Sequence, residues 1–252
     1  MTEILGELPE WSESFVPFSA THGIVTLAFL VGTIALCHSL SGLRDSPRRS
    51  FELFAGLWGF GFAVLYAAWW LFPTNFDANR SLPLHVCDVM SFLSPFSLLS
   101  GRRRYASFAV FFGLAFCTQA FVKPLAGPGP LHLAKWAQFW GFWITHAMVV
   151  FVSVYWVWVR GFRPRWSDFR LASIVAWVYV GAIFLFDAAT GLNYVYVGRG
   201  TPTGETFADE LGPWPLRALW IALIGQTVLL ALMLLRLLPG GELKRTSIDS
   251  RA

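Results

Sequence analysis

A histidine, a cysteine and an aspartate interrupt the otherwise apolar run Ser81–Phe92, SLPLHVCDVMSF. Pro83 suits the first turn of a helix, where its missing N–H is not needed, so Cys87 should lie about one turn inside a helix N-terminus. The partial positive charge of such a terminus favours the thiolate, which is the nucleophilic form of cysteine. The run therefore predicts that Cys87 is a candidate nucleophile.

A nucleophilic Cys87 needs a base, because apolar surroundings and the adjacent Asp88 both oppose ionisation of the thiol. His85 is two positions away and faces nearly the opposite side of a helix, although it shares a face with Asp88. The base must then come from another helix, and His22 and His146 are the candidates. His22 should lie slightly above Cys87 and His146 roughly one turn below it, so the residues alone leave the choice open.

The composition indicates which elements must hold these side chains. Of the 252 residues, 56% are hydrophobic and only 13% are charged, against roughly 25% charged in soluble domains. A soluble protein of this size could not cover so much apolar surface, so lipid must surround most of the chain. Three cysteines at unrelated positions predict neither a disulfide framework nor a paired metal site. The acidic N-terminus lacks a basic segment, so no cleavable signal is expected.

Seven apolar runs are long enough to be helices that cross a bilayer core about 30 Å thick. We predict an all-α polytopic membrane bundle forming a single domain over residues 1–252, with an acidic N-terminal tail, 1–17, and a C-terminal tail, 239–252. The predicted spans are Phe18–Leu40, Phe51–Phe72, Leu82–Leu99, Tyr105–Val122, Trp136–Val159, Leu171–Leu192 and Leu216–Leu238.

The distribution of basic residues predicts the orientation of the bundle. Loops on one side of the seven spans hold 14 Lys and Arg residues, and loops on the other side hold five. Because the basic side faces the cytoplasm, the N-terminus is predicted outside and the C-terminus inside. The net charge of +4 is then explained by topology, and no nucleic-acid partner is expected.

Polar residues within the predicted spans concentrate near the outer side. Ionisable groups in lipid are costly and mark functional sites by default. On this topology His146 lies near mid-membrane, and the outer group comprises His22, His85, Cys87, Asp88, Gln119, Asp187, Asn193 and Tyr194. This asymmetry predicts one pocket that opens outward. Cys37 and Cys117 are interpreted as small apolar residues, and His38 as an interfacial one.

Several motifs occur together in order, among them LPLHVCD, FGLAFCTQAFVKP, FWITHAMVV and GLNYVYVGRGTP. With them the chain resembles the YwaF-like bacterial membrane family, which is similar to the eukaryotic transmembrane protein 164 family. Those relatives are regarded as lipid acyltransferases that use a cysteine and a histidine within the membrane. The resemblance implies Cys87 as nucleophile and His146 as its partner. It also matches family polar positions to His22, His85, Asp88, Gln119, Asn193 and Tyr194, whereas Asp187 stands where an amide is expected.

The leading hypothesis is an intramembrane, cysteine-dependent lipid acyltransferase or acyl hydrolase. It would take phospholipid or lysolipid substrates in a bacterial plasma membrane, without a cofactor or metal. The alternative is a transporter or metal-binding protein, since the histidines, Cys87 and Asp88 are all plausible metal ligands. A receptor-like or assembly protein without chemistry is a third hypothesis, less favoured because long signalling loops are absent.

Overall fold

The computed structural model describes residues 18–122, 133–199 and 207–235, and these ranges contain seven α-helices and no strand. The helices are α1 (Ala20–Ser41), α2 (Asp45–Leu71), α3 (Val86–Ser100), α4 (Arg103–Phe112), α5 (Leu133–Trp158), α6 (Trp166–Thr190) and α7 (Leu216–Leu235). Short 3₁₀ helices at Tyr194–Tyr196 and Phe207–Leu211 lie between α6 and α7. The predicted all-α class is confirmed, while the two predicted tails lie outside the described residues.

Five of these helices are long and apolar enough to cross a membrane, namely α1, α2, α5, α6 and α7. The prediction of seven spanning helices is confirmed for these five and not for the other two. Helix α3 has only 15 residues, about 22 Å of helix, which is less than the bilayer core of about 30 Å. Helix α4 has ten residues and continues as a π-helix, Gly113–Cys117, and a 3₁₀ helix, Thr118–Phe121.

Helix α3 begins at Val86, four residues later than the span predicted from Leu82. The Asp88 carboxylate accepts the backbone N–H of His85 at 3.1 Å, which caps the helix from within its first turn. Ahead of it, the Ser81 hydroxyl accepts the N–H of Asp77 at 2.8 Å. These side-chain bonds give the preceding backbone a non-helical alternative. Cys87 therefore lies in the first turn of α3.

Helix α2 begins earlier than predicted, because its first residue, Asp45, lies six positions before the predicted start at Phe51. Arg44 is its N-cap residue, and Pro47 falls within the first turn, where a missing N–H breaks no helical bond. The segment that the sequence presented as a loop is thus mostly helix.

The change from α4 to the π-helix occurs where α4 and α5 approach each other most closely. The Ser153 hydroxyl of α5 donates to the Ala109 carbonyl of α4 at 2.7 Å. That carbonyl also receives the N–H of Gly113, and a side chain inserted into the ladder in this way disturbs the helix beyond it. Only glycine fits at 113, since a Cβ there would lie 2.1 Å from the Ser153 Oγ.

Helices α2, α3 and α5 are joined at the end of α3 by an ion-pair cluster around Glu52, which is fully buried. Arg160, two residues after the end of α5, binds the Glu52 carboxylate through Nε at 2.6 Å and Nη2 at 2.8 Å, and the Tyr155 hydroxyl of α5 donates to it at 2.5 Å. Arg49 reaches the same carboxylate at 3.2 Å and also donates to two carbonyls at the end of α3. This cluster holds the three helices together at one end of the bundle.

Glu52→Ala should lower the free energy of unfolding by about 3–5 kcal/mol, because it leaves buried cationic and hydroxyl donors without their acceptor. Asp45→Ala is the matched control: it also removes a partner of an arginine on α2, but the Asp45 side chain is 90% exposed. The measurement is unfolding of the purified protein in mixed detergent micelles. Equal losses in the two variants would contradict the importance of the cluster.

Candidate functional site

Cys87 is half-buried in the first turn of α3. It packs against a buried cluster that includes Met90 and Cys117, and it is close enough to Asp88 and Cys117 for their charges to interact. The backbone N–H groups of Cys87 and Asp88 lie within reach of the sulfur. The thiol therefore sits at the positive end of a helix, as the sequence predicted. Cys117, interpreted from the sequence as structural, is its neighbour through the π-helix.

His146 lies on α5 and has its tautomer set by its own helix. Its Nδ1 lies 2.7 Å from the Phe142 carbonyl oxygen. A carbonyl can only accept, so Nδ1 carries the hydrogen and Nε2 presents the lone pair. The side chain is 6% exposed, and its ring stacks at 4.2 Å from that of Phe142. The geometry gives a sheltered imidazole in which Nε2, and not Nδ1, is the nitrogen that can accept a proton.

The structure places Cys87 and His146 on neighbouring helices without joining them directly. Within the described residues, the Cys87 thiol makes no hydrogen bond to an imidazole. His146 is nevertheless close enough to His85, the N-cap residue of α3, for their charges to interact. The imidazole is therefore on the side of α5 that faces the N-terminus of α3, whereas the groups that act on the Cys87 sulfur are Asp88 and Cys117.

His22, the other candidate base, uses both ring nitrogens for hydrogen bonds to backbone. Its Nδ1 accepts the N–H of Phe18 at 2.9 Å, so its Nε2 carries the hydrogen and donates to the Phe121 carbonyl at 2.8 Å. The second bond connects the start of α1 to the segment that follows α4. In this arrangement the His22 lone pair is already used, which leaves His146 as the better-placed base.

His85, Asn193 and Tyr194 hold together the two loops that cover the start of α3. Val195 donates its N–H to His85 Nδ1 at 3.3 Å, and Asn193 Oδ1 accepts the N–H of Gly198 at 2.8 Å. The Tyr194 hydroxyl donates to the Ala78 carbonyl at 2.5 Å and accepts a further N–H from the same loop. Burial raises the pKa of Tyr194 to about 12, so this hydroxyl stays protonated and donates across the physiological pH range.

A narrow cleft runs between α2, α3 and α5, on the side of α3 that carries Asp88. It consists of two small adjoining hollows of about 20 and 10 Å³, each with room for about one water molecule. Both are lined by Ala63, Ser91 and Thr145. The larger hollow is also lined by Tyr66, Ala67, Trp70, Arg80, Ser81, Pro83, Asp88 and Phe92, and the smaller by Trp58, Gly59, Phe62 and Met148. We refer to these two hollows as the α2–α3–α5 cleft.

Tyr66 connects this cleft to the level of Cys87. Its ring lies directly over Gly141 of α5, where a Cβ would come within 2.1 Å of the Tyr66 Cε2. Tyr66 is also close enough to Cys87 and Asp88 for electrostatic interaction. The α2–α3–α5 cleft and the thiol therefore share one end of the bundle.

Gln119 and Asp187 are not among the residues that line the cleft. Gln119 is exposed on the 3₁₀ helix after α4. The Asp187 carboxyl is fully buried near the C-terminus of α6 and faces the backbone of Tyr194. Of the polar set that the sequence predicted to share one pocket, only Asp88 lines the cleft, and neither Cys87 nor His146 does.

Sequence reasoning missed Tyr66, Arg80 and Thr145, all of which line the cleft. Thr145 directly precedes His146 and lies in the same motif, FWITHAMVV, but the sequence analysis assigned it no role. Arg80 had counted only as a loop charge and Tyr66 only as part of a span. Within the described residues, no group of three or more His, Cys, Asp or Glu side chains is placed to hold a metal ion.

The three cysteines should differ in their reactivity toward a small maleimide in mild detergent. Cys37 and Cys117 are 0% and 1% exposed, whereas Cys87 is half-buried, so one thiol should be modified rapidly and peptide mapping should locate it at Cys87. Cys87→Ser should abolish the rapid reaction, and Cys117→Ser should leave it unchanged. Rapid modification at Cys37 would contradict the burial described above.

Comparison with known proteins identifies the family of this chain. The model of the TMEM164 family matches residues 17–236, which include all seven helices and every candidate site residue. No curated protein and no solved structure matches the chain. By a match that extends over most of its length, this apolar helical chain belongs to the TMEM164 family of membrane proteins.

Proposed function

We propose that this protein is an intramembrane acyltransferase that carries an acyl group as a thioester on Cys87, with His146 as the base. One observation supports this proposal above the others: a half-buried thiol lies in the first turn of one helix, and the helix packed against it carries a sheltered imidazole whose Nε2 presents its lone pair. Thiol nucleophiles are activated by an adjacent base and by helix N-termini. The substrates are phospholipid and lysolipid, because the surrounding solvent is lipid.

The first half of the reaction transfers the acyl group to the enzyme. The Cys87 thiol gives its proton to His146 Nε2 while sulfur bonds to the ester carbonyl carbon. The C–O bond of the ester then breaks, and the departing lysolipid oxygen takes the proton from Nε2. The backbone N–H groups near the sulfur are suited to stabilise the negative oxygen that forms on the carbonyl.

The second half of the reaction returns the thiol. An acceptor hydroxyl gives its proton to Nε2 and attacks the thioester carbonyl, the C–S bond breaks, and sulfur recovers the proton. Water in place of the hydroxyl gives hydrolysis. The bond from Nδ1 to Phe142 keeps the imidazole in one orientation and supports its positive charge in both halves.

The Cys87 thiol and the His146 imidazole must approach each other for this chemistry. Catalytic hydrogen bonds are often long before substrate binds and shorten in the complex. Cys87 and His146 belong to neighbouring helices, so side-chain rotation is the motion this proposal requires.

In the proposed topology all seven helices cross the bilayer, α3 and α4 with the help of the non-helical segments that adjoin them. The N-terminus is outside and the site lies in the outer leaflet. The excess of arginine at the opposite side supports this orientation.

Single-cysteine labelling from one side of the membrane tests the orientation. Ser46 lies in the first turn of α2 and Asn79 in the segment that follows the helix, and both side chains are exposed. In intact cells, a charged maleimide should modify Asn79→Cys directly and Ser46→Cys only after the membrane is permeabilised. The reverse pattern would place the site in the inner leaflet.

Incubation with phospholipid should produce an acyl adduct on Cys87, seen by intact-mass spectrometry and located by peptide mapping. Cys87→Ala and Cys87→Ser should lose the adduct and the transfer of labelled acyl chains. His146→Gln should reduce transfer by roughly 10²- to 10⁴-fold, which is the usual contribution of a general base. Cys117→Ser is the matched control and should retain transfer. A Cys87→Ala protein that transfers as well as its parent would overturn the mechanism.

A further inference from the structure

The two hollows of the α2–α3–α5 cleft have the size of water molecules. They measure about 20 and 10 Å³, and one water molecule needs roughly 10–15 Å³ of such space. The hollows adjoin each other, since Ala63, Ser91 and Thr145 line both of them. Together they have room for two water molecules side by side.

The larger hollow is polar as well as small. Ser81 is 3% exposed, and its hydroxyl accepts the N–H of Asp77, which leaves its own hydrogen to donate. Asp88 brings a carboxylate whose Oδ2 accepts the His85 N–H. The Ser91 hydroxyl donates to the Asp88 carbonyl and can still accept. A buried water molecule typically makes about three hydrogen bonds, and the groups that line this hollow are sufficient for that number.

Thr145 gives the clearest sign of bound water, because its buried hydroxyl makes no hydrogen bond to the protein. The side chain is 6% exposed and lines both hollows, and its Oγ1 has no partner among the described residues. A buried hydroxyl is costly to leave without a partner, and ordered water satisfies many buried polar groups that the protein itself does not. One water molecule in each hollow gives this hydroxyl both a donor and an acceptor.

We infer that the hollows bind two water molecules, which bridge Thr145 of α5 to Asp88 and Ser91 of α3. The water in the larger hollow binds Thr145, Asp88 and Ser81. The water in the smaller hollow binds Thr145, Ser91 and the first water. Each then makes about three hydrogen bonds, which is the usual number for buried water.

This bridge holds α3 and α5 together near Cys87. At the far end of the same pair of helices, Trp156 Nε1 donates directly to Ser97 Oγ at 2.8 Å, and near the first turn of α3 the water molecules make the corresponding connection. Asp88, which the first water binds, caps that turn. Thr145 is therefore a positioning residue for the turn that carries the thiol. The inference rests on the proposed function only for the claim that this turn is catalytic.

The direction in which Thr145→Val changes stability tests the bridge, because valine keeps the shape of threonine and removes the hydroxyl. Loss of the bridge should raise the unfolding equilibrium constant about fivefold in mixed micelles, the equivalent of one neutral hydrogen bond. In dry hollows the same change would only remove an unsatisfied hydroxyl, so an unchanged or lowered constant would overturn the inference. Thr33→Val is the matched control. It removes another buried hydroxyl without a partner, but Thr33 lines neither hollow, and the constant should not rise.

Amide hydrogen exchange tests the position of the bridge. Thr145→Val should speed exchange at residues 88–92 about fivefold, and should leave α6 unchanged. Thr145→Ser keeps the hydroxyl that binds water and should retain the parental rate at residues 88–92. Equal acceleration in the valine and serine variants would assign the effect to packing of the threonine methyl group and would overturn the role of water.

Radiolytic footprinting detects the water directly, because hydroxyl radicals formed from bound water oxidise the side chains beside it. Met148 lines the smaller hollow and should be oxidised, whereas Met90 and Met233, each 1% exposed, lie outside the hollows and should not. Ala63→Val fills the space that the hollows share and should reduce Met148 oxidation about fivefold or more. Ala68→Val, at an exposed position of the same helix, should leave it unchanged. Equal oxidation in the two variants would overturn the site.

None of these measurements depends on acyl transfer. If they detect the bridge while the parent protein forms no acyl adduct on Cys87, the proposed function fails and the water site stands. If the adduct forms while Thr145→Val does not raise the unfolding constant, the water site fails and the proposed function stands.

Discussion

The constraint on which the rest of this structure depends is the need to satisfy backbone polar groups that water cannot reach. In lipid, a helix does this along its own length, but a non-helical segment must find other partners. The chain from Ser81 to His85 is such a segment, and it is held by the hydroxyls of Tyr194 and Tyr179 and by the Asp88 carboxylate. These bonds end the non-helical stretch at His85 and so place Cys87 in the first turn of α3. Without them α3 would begin earlier and the thiol would lie deeper within a helix.

The same constraint distinguishes the two histidines that the sequence could not separate. Both ring nitrogens of His22 make hydrogen bonds to backbone groups, those of Phe18 and Phe121. The second bond connects α1 to the segment after α4. Among the described residues, His146 makes a hydrogen bond only through Nδ1, which donates to the Phe142 carbonyl in its own helix. A structural imidazole therefore differs from a chemically available one in whether nearby backbone groups bind both of its nitrogens or only one. That difference supports the assignment of His146 as the base.

The two ends of the α2–α3–α5 unit have complementary properties. At one end, the buried Glu52 carboxylate accepts hydrogen bonds from Arg160, Tyr155 and Arg49, and this cluster holds the three helices together. Toward the other end the helices leave a cleft between them, lined by aromatic rings on one wall and by Ser91 and Thr145 on the other. A rigid closed end allows the open end to keep its shape without side chains filling it.

The sequence by itself determined the class of this protein, because composition and run length depend only on residue type. The all-helical class and the five long apolar helices could both be predicted. The ends of α2 and α3 could not, because Pro47 is harmless in a first turn and because the segment before α3 is held in a non-helical conformation by Tyr194, more than a hundred positions away. Nor could the choice between His22 and His146, the π-helix that brings Cys117 near Cys87, or the cleft lined by Tyr66, Arg80 and Thr145. Each of these depends on which atoms of distant helices meet, and only the tertiary structure decides that.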